Sequence, residues 1–228
     1  MDDSLEIESA KRIGGRLCLD FVNTVQGRLD PEGAGRAGSR TEQVVGERLV
    51  SYQALVRWGM LTGALSGREV ARLARAGATR PAQASAVLAR SVACREALYR
   101  IFKAAIQQRN AAAPDLAALN AELRVARSHE QLVASPRFAW QWETASLSLD
   151  RVLWPVVWSA ADLLTTDDLS RLRQCPGEGC GWLFLDSSRS GRRQWCDMAD
   201  CGNLAKIRRF RDRHRSLARP SQRLRRRR

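Results

Sequence analysis

Cys175 and Cys180 form a C-x4-C pair, and after fifteen intervening residues Cys196 and Cys201 form a second. Thiolates spaced in this way are what a tetrahedral Zn²⁺ ion requires: each pair offers two sulfurs, and the chain between them turns back on itself. Gly177, Gly179 and Gly181 supply backbone freedom around the first pair. With sulfur in all four positions no coordination site is left for water, so the zinc is expected to be single and structural rather than catalytic. Such a site contributes about 10–16 kcal/mol of apparent folding free energy, enough to order a unit too small for its own core. A redox thiol switch and an Fe–S cluster use the same residues and stay open at this level. Cys18 and Cys94 lie on apolar faces and read as core.

The elements that position the sulfurs follow from the flanking sequence. WLFLD and RRQWC flank SSRSG, which predicts a β-hairpin between the cysteine pairs. Beyond Cys201, NLAKIRRFRDRHR contains good helix formers and no proline before Pro220. The order of knuckle, hairpin, second pair and basic helix is like a treble clef. On that helix Arg208, Arg211 and Arg215 share one face, Lys206, Arg209 and Arg213 share another, and Ile207 and Phe210 are the expected packing residues. Cations on two sides can straddle a groove, touching phosphates while other side chains reach base edges. Arg192 and Arg193, in the predicted hairpin, would add backbone contacts. A merely solvated charged helix is the bland alternative.

The remainder of the chain reads as mainly α. Leu17, Phe21 and Val25 recur at helical spacing, predicting a short buried helix, and LDPEGAGRAGSR after it reads as a loop. A helix is predicted over 47–60, burying Leu49, Leu55, Val56 and Trp58. Ser66 and Glu69 match a capping box. Pro81 opens a long helix to about Gln108, and Pro114 opens another with Leu116, Leu119 and Leu123 facing inward. QLVASPRFAWQWE predicts a small hairpin, and LDRVLWPVVWSAADLL a helix kinked at Pro155. Trp140, Trp142, Trp154 and Trp158 are expected in the core or at a dimer contact.

At QCPGEGCGWLFLDSSRSGRRQWCDMADCGNLAKIRRFRDRHR the sequence resembles the bacterial CGNR zinc-finger family, through the four cysteines, Trp182, Trp195-Cys196 and Cys201-Gly202-Asn203. LCLDFVNT, near the N-terminus, is similar to the opening motif of the ABATE domain that accompanies this finger. The resemblance implies a DNA-binding, stress-linked transcription regulator, with Cys175, Cys180, Cys196 and Cys201 as zinc ligands and a sensing or assembly role for the N-terminal part. Leu204 stands where the family name has arginine. Either a phosphate contact is lost there, or Leu204 packs under the hairpin.

Of the net charge of +14, the segment from Arg171 onward holds +12, from 17 basic and 5 acidic residues. A nearly neutral body therefore carries a basic device, whose natural partner is a polyanion. Taken alone, the Arg223–Arg228 run reads equally well as a solubilising tail. No apolar run approaches the roughly 18 residues of a membrane span, and the acidic N-terminus has no signal-peptide core, so a cytoplasmic location without membrane attachment is expected. Asp20, Asn23 and Thr24 are the polar positions of an apolar motif, suited either to a ligand pocket or to satisfying buried backbone. With two histidines, no phosphate loop and no nucleophile elbow, an enzyme is not expected. The expected division is a helical body over 1–168 and a zinc-finger unit over 169–228. The expected partners are double-stranded DNA, a small-molecule effector and a second copy of the chain. An adapter for an acidic protein and a sequence-independent RNA binder are the alternatives.

Overall fold

Short helical runs punctuated by caps and prolines set most of the chain's course. The structure, a computed structural model, describes residues 7–29, 43–134, 136–143 and 147–217, the last three of these by backbone alone. All but the first residue of the expected loop over 29–40, the side chain of Arg215, and the Arg223–Arg228 tail lie outside the described residues.

Helix α1 (Leu17–Val22) buries Cys18, Leu19, Phe21 and Val22. It stops earlier than helical spacing predicts. Thr24 Oγ1 donates to the Phe21 carbonyl at 2.7 Å, and the chain then extends into β1 (Val25–Leu29). Val25 is therefore a buried strand residue, opposite Glu47 of the antiparallel β2 (Gln43–Glu47). Because β2 takes residues 43–47, the next helix, α2 (Tyr52–Leu61), starts later than expected, at the Ser51 cap whose side chain accepts from the Ala54 amide at 3.1 Å. Leu49, Leu55, Val56 and Trp58 are buried as expected.

The capping box is formed. Glu69 Oε2 accepts from the Ser66 amide at 2.8 Å and starts α3 (Gly67–Thr79). Pro81 opens α4 (Pro81–Ile106), and α5 follows (Ala113–Ser128) with Leu119 buried but Leu116 exposed, so Leu116 departs from its predicted inward face. The predicted hairpin is β3 (Glu130–Ala134) paired with β4 (Phe138–Trp142). In α6 (Leu153–Thr165) Pro155 is the third residue. The expected kink has no cause there, because the first-turn amides have no intrahelical acceptor to lose. Trp154 is core and Trp142 and Trp158 are partly buried, whereas Trp140 is exposed.

Phe21, Trp58, Leu98, Phe102, Val156 and Leu163 belong to one apolar core, which also takes in Leu172, Leu183 and Leu185. These last three come from a hairpin of β5 (Leu172–Gln174) and β6 (Leu183–Leu185). The finger's hairpin thus encloses the first cysteine pair, and residues 192–196 form no strand. This corrects the predicted hairpin between the pairs: the knuckle turns of Gly179 and Gly181, both at positive φ, bring 172–174 against 183–185. A π-helical turn (Met198–Gly202) leads into α7 (Asn203–Leu217). No described helix is long and apolar enough to cross a membrane.

Candidate metal centre

The knuckle is built from backbone bonds. The Cys175 amide donates to the Trp182 carbonyl at 2.8 Å and the Cys180 amide to the Gly177 carbonyl at 2.9 Å, which points both side chains to one side. Gly177 is required by space, since a Cβ there would lie 2.9 Å from Cys201 Sγ. Of the second pair, Cys196 lies just before the π turn and Cys201 on it, and the turn is capped by Asp197, whose side chain accepts from the Ala199 amide at 2.8 Å.

As a result the sulfurs of Cys175, Cys180, Cys196 and Cys201 all lie within 4.8 Å of one another. Cys180 and Cys196 are 3.6 Å apart, and Cys196 and Cys201 3.7 Å. A tetrahedral ion with Zn–S bonds near 2.3 Å needs sulfurs about 3.8 Å apart, so the donor set and its spacing fit one zinc. Hydrogen bonds from Cys180 and Cys196 lower the Cys175 pKa, while Cys175 and then Cys180 raise that of Cys196. The four thiols cannot ionise independently, and zinc resolves this competition by holding four thiolates. Cys18 and Cys94 take no part. Burial pushes each thiol up to about 12.

Beneath the sulfurs Trp182 and Phe184 form a small separate core with Cys175 and Cys196. Arg193 holds this unit together. It lies 4.4 Å over the Phe184 ring, donates from Nε to the Trp195 carbonyl at 3.0 Å, and also bonds the Cys196 carbonyl. Its guanidinium is engaged with the loop, a role beyond the backbone contact expected of it. Sequence reasoning missed this, and missed Phe184, since neither residue type nor spacing marks them.

Body and finger share a tight seam. Asn23, 2% exposed, donates from Nδ2 to the Leu183 carbonyl at 2.8 Å and accepts from the Leu183 amide at 2.9 Å. Asp20 accepts from the Gly14 amide at 2.8 Å, and the Gly14 carbonyl in turn accepts from the Leu185 amide. Burial raises the Asp20 pKa. Thr24 is fully buried and accepts from Arg95. The polar groups of all three residues are thus engaged within the protein. Gly27 presses against the knuckle so closely that a Cβ would meet the Gly179 carbonyl oxygen at 1.9 Å. Next to it Arg28 donates its amide to the Gly179 and Cys180 carbonyls, and its guanidinium pairs with Glu96 over the Tyr99 ring. Arg95 pairs with Glu47 and Glu96. Lys11 bridges Asp197 and Asp200 of the π turn at 2.5 and 2.7 Å. Partners 186 residues apart leave no local signal in the sequence.

Helix α7 projects from this base. Lys206, Arg208, Arg209, Arg211 and Arg213 are exposed on it, and Arg192 is exposed in the preceding loop. Arg208 pairs with Glu178 at the knuckle, and Arg213 Nε donates to the Arg209 carbonyl at 3.3 Å. Ile207 and Phe210 do not pack as predicted. They are 40% and 58% exposed, and Leu204 is 66% exposed rather than tucked under the hairpin.

Comparison with known families finds the CGNR zinc finger over residues 171–214 and ABATE, described as "Putative stress-induced transcription regulator", over residues 15–167. No curated protein matches the chain. Four clustered thiols at the base of an exposed basic helix agree with the first match, and the second covers more than half of the sequence: the chain belongs to the ABATE family and carries a CGNR zinc finger behind its ABATE domain.

Proposed function

We propose that this protein is a zinc-dependent regulator that binds double-stranded DNA through α7. The observation that carries the reading is the coincidence of the four-sulfur cluster with the start of a helix whose Lys206, Arg208, Arg209, Arg211 and Arg213 all face solvent. Zinc fixes the helix base, and the cations then meet phosphates at fixed positions, which costs less ordering entropy than a free basic tail would. Arg192 adds a contact from the loop. Residues 169–228 act as the DNA-binding unit, and residues 1–168 as the body that assembles with a second copy or answers a small-molecule effector. The seam through Asn23 and Arg28 is the route by which the body would bias the finger. Arg193 supports the loop rather than touching DNA.

The test is selection of zinc-loaded protein on random duplex DNA near about 0.15 M salt, where surface charges are screened beyond about 8 Å, with Cys201→Ser as control. Enrichment of a motif that the variant fails to enrich is the expected outcome. Binding to acidic proteins with no duplex binding would replace the reading with that of an adapter.

A further inference from the structure

Described side chains of α7 are exposed from Asn203 to His214 except for half-buried Ala205. At 3.6 residues per turn, Ala205 and Asp212 lie on one side of the helix. The opposite side carries Asn203 at its start and then Ile207, Phe210 and His214, with Leu204 at its margin, and the Phe210 and His214 ring centroids lie 4.2 Å apart. Arg208 and Arg211 border this stripe on one flank, and Lys206 and Arg213 on the other. An apolar stripe open to water between two cationic rows needs a partner that is anionic at its edges and locally apolar at its centre. A second copy of α7 fits poorly, since its cations would face these.

Duplex DNA fits. Its major groove is about 12 Å wide and admits a helix, phosphates line both rims, and the apolar group on its floor is the thymine 5-methyl. We propose that Ile207 and Phe210 read thymine methyl groups in the major groove while the flanking rows hold the phosphates. This rests on the DNA-binding reading above. Three residues of helix span about 4.5 Å, so the two side chains reach neighbouring base pairs. The methyl specifies the base, and the cations do not.

The test uses the full zinc-loaded chain and two forms of the selected duplexes, one with thymine and one with deoxyuridine in every thymine position. Wild type is expected to bind the thymine form about fourfold more tightly per contacted methyl. Ile207→Ala plus Phe210→Ala should bind both forms equally, with zinc content, helicity and salt dependence unchanged. Equal affinity of wild type for both forms overturns the proposal while leaving the DNA-binding reading intact, as does discrimination that survives in the double variant. Failure of wild type to bind either form overturns both. Dissolution of a DNA-free dimer by the double variant would overturn it too, by marking the stripe as a self-association seam.

Discussion

Asn23 offers the sharpest view of how body and finger are joined. Its side chain is buried and makes two hydrogen bonds to a single residue, Leu183, itself wholly buried in β6. The orientation of the amide is forced, because the Leu183 N–H can only donate and its carbonyl only accept. Asn23→Ala removes both bonds and leaves a buried N–H and a buried C=O without these partners. At about 1–3 kcal/mol for each orphaned group, the expected loss is about 2–6 kcal/mol. Against a typical domain stability of about 5–15 kcal/mol this is large. Urea unfolding of the zinc-loaded protein, followed by tryptophan fluorescence, reads it directly. Asn23→Asp refines the test: one carboxylate oxygen still accepts from Leu183 N–H, but the other meets the Leu183 carbonyl with no proton to give, so it should be no milder than alanine. A loss below about 0.5 kcal/mol for Asn23→Ala, the usual range for a featureless surface site, or an Asp variant as stable as wild type, would refute the seam as described. An effector pocket would behave differently, losing a ligand-induced stabilisation while keeping basal stability.

Gly177→Ala places a methyl 2.9 Å from Cys201 Sγ; competition against a chromogenic chelator should show zinc affinity weakened roughly tenfold or more, as for other changes just outside a ligand shell. The Glu47 carboxyl is pushed up by burial, but its bonds to Arg95 outweigh that and hold it below its ordinary 4.5. A lowered folded pKa gives stability that is present above the unfolded value and lost as pH falls through the folded one. The difference in melting temperature between wild type and Glu47→Gln should therefore be constant above about pH 5 and shrink at lower pH; a difference that does not change with pH would contradict the pairing. Thiol alkylation read by mass spectrometry should leave the zinc-loaded protein unlabelled, mark up to four cysteines after chelation, and reach Cys18 and Cys94 only on unfolding, since burial pushes both thiols up to about 12. Labelling of either one in the folded protein would place it outside the core.

Several elements are legible from neighbouring residues alone. The Ser66–Glu69 box, the start of α4 at Pro81, the β3–β4 hairpin and the two cysteine pairs each depend on residues within a few positions of one another. The absent kink at Pro155 has a local cause, its place in the first turn of α6, whereas the larger departures are long-range. Val25 continues the periodicity of α1 but is drawn into a strand by partners near residue 45 and by the knuckle carbonyls that accept from Arg28. The finger's hairpin closes around the first cysteine pair because left-handed turns at Gly179 and Gly181 bring β5 to β6, which spacing alone does not disclose. Arg28, Arg95 and Arg193 look like surface charge in the sequence, yet the first two are buried against carboxylates and the third is wrapped by carbonyls. Conversely, Ile207 and Phe210 look like packing residues and face solvent. In both cases burial depends on what lies across from the residue.

The central claim is that zinc holds α7 as a rigid DNA-binding element, and the salt dependence of duplex affinity tests it most directly. If Lys206, Arg208, Arg209, Arg211 and Arg213 each neutralise a phosphate, log affinity against log salt should have a slope of about −4 to −5, at about −0.9 per contact. Arg208→Ala plus Arg211→Ala should make the slope shallower by about 2, and removing zinc should abolish specific binding. Affinity and slope unchanged by chelation, or no duplex binding by the zinc-loaded chain, would contradict the account.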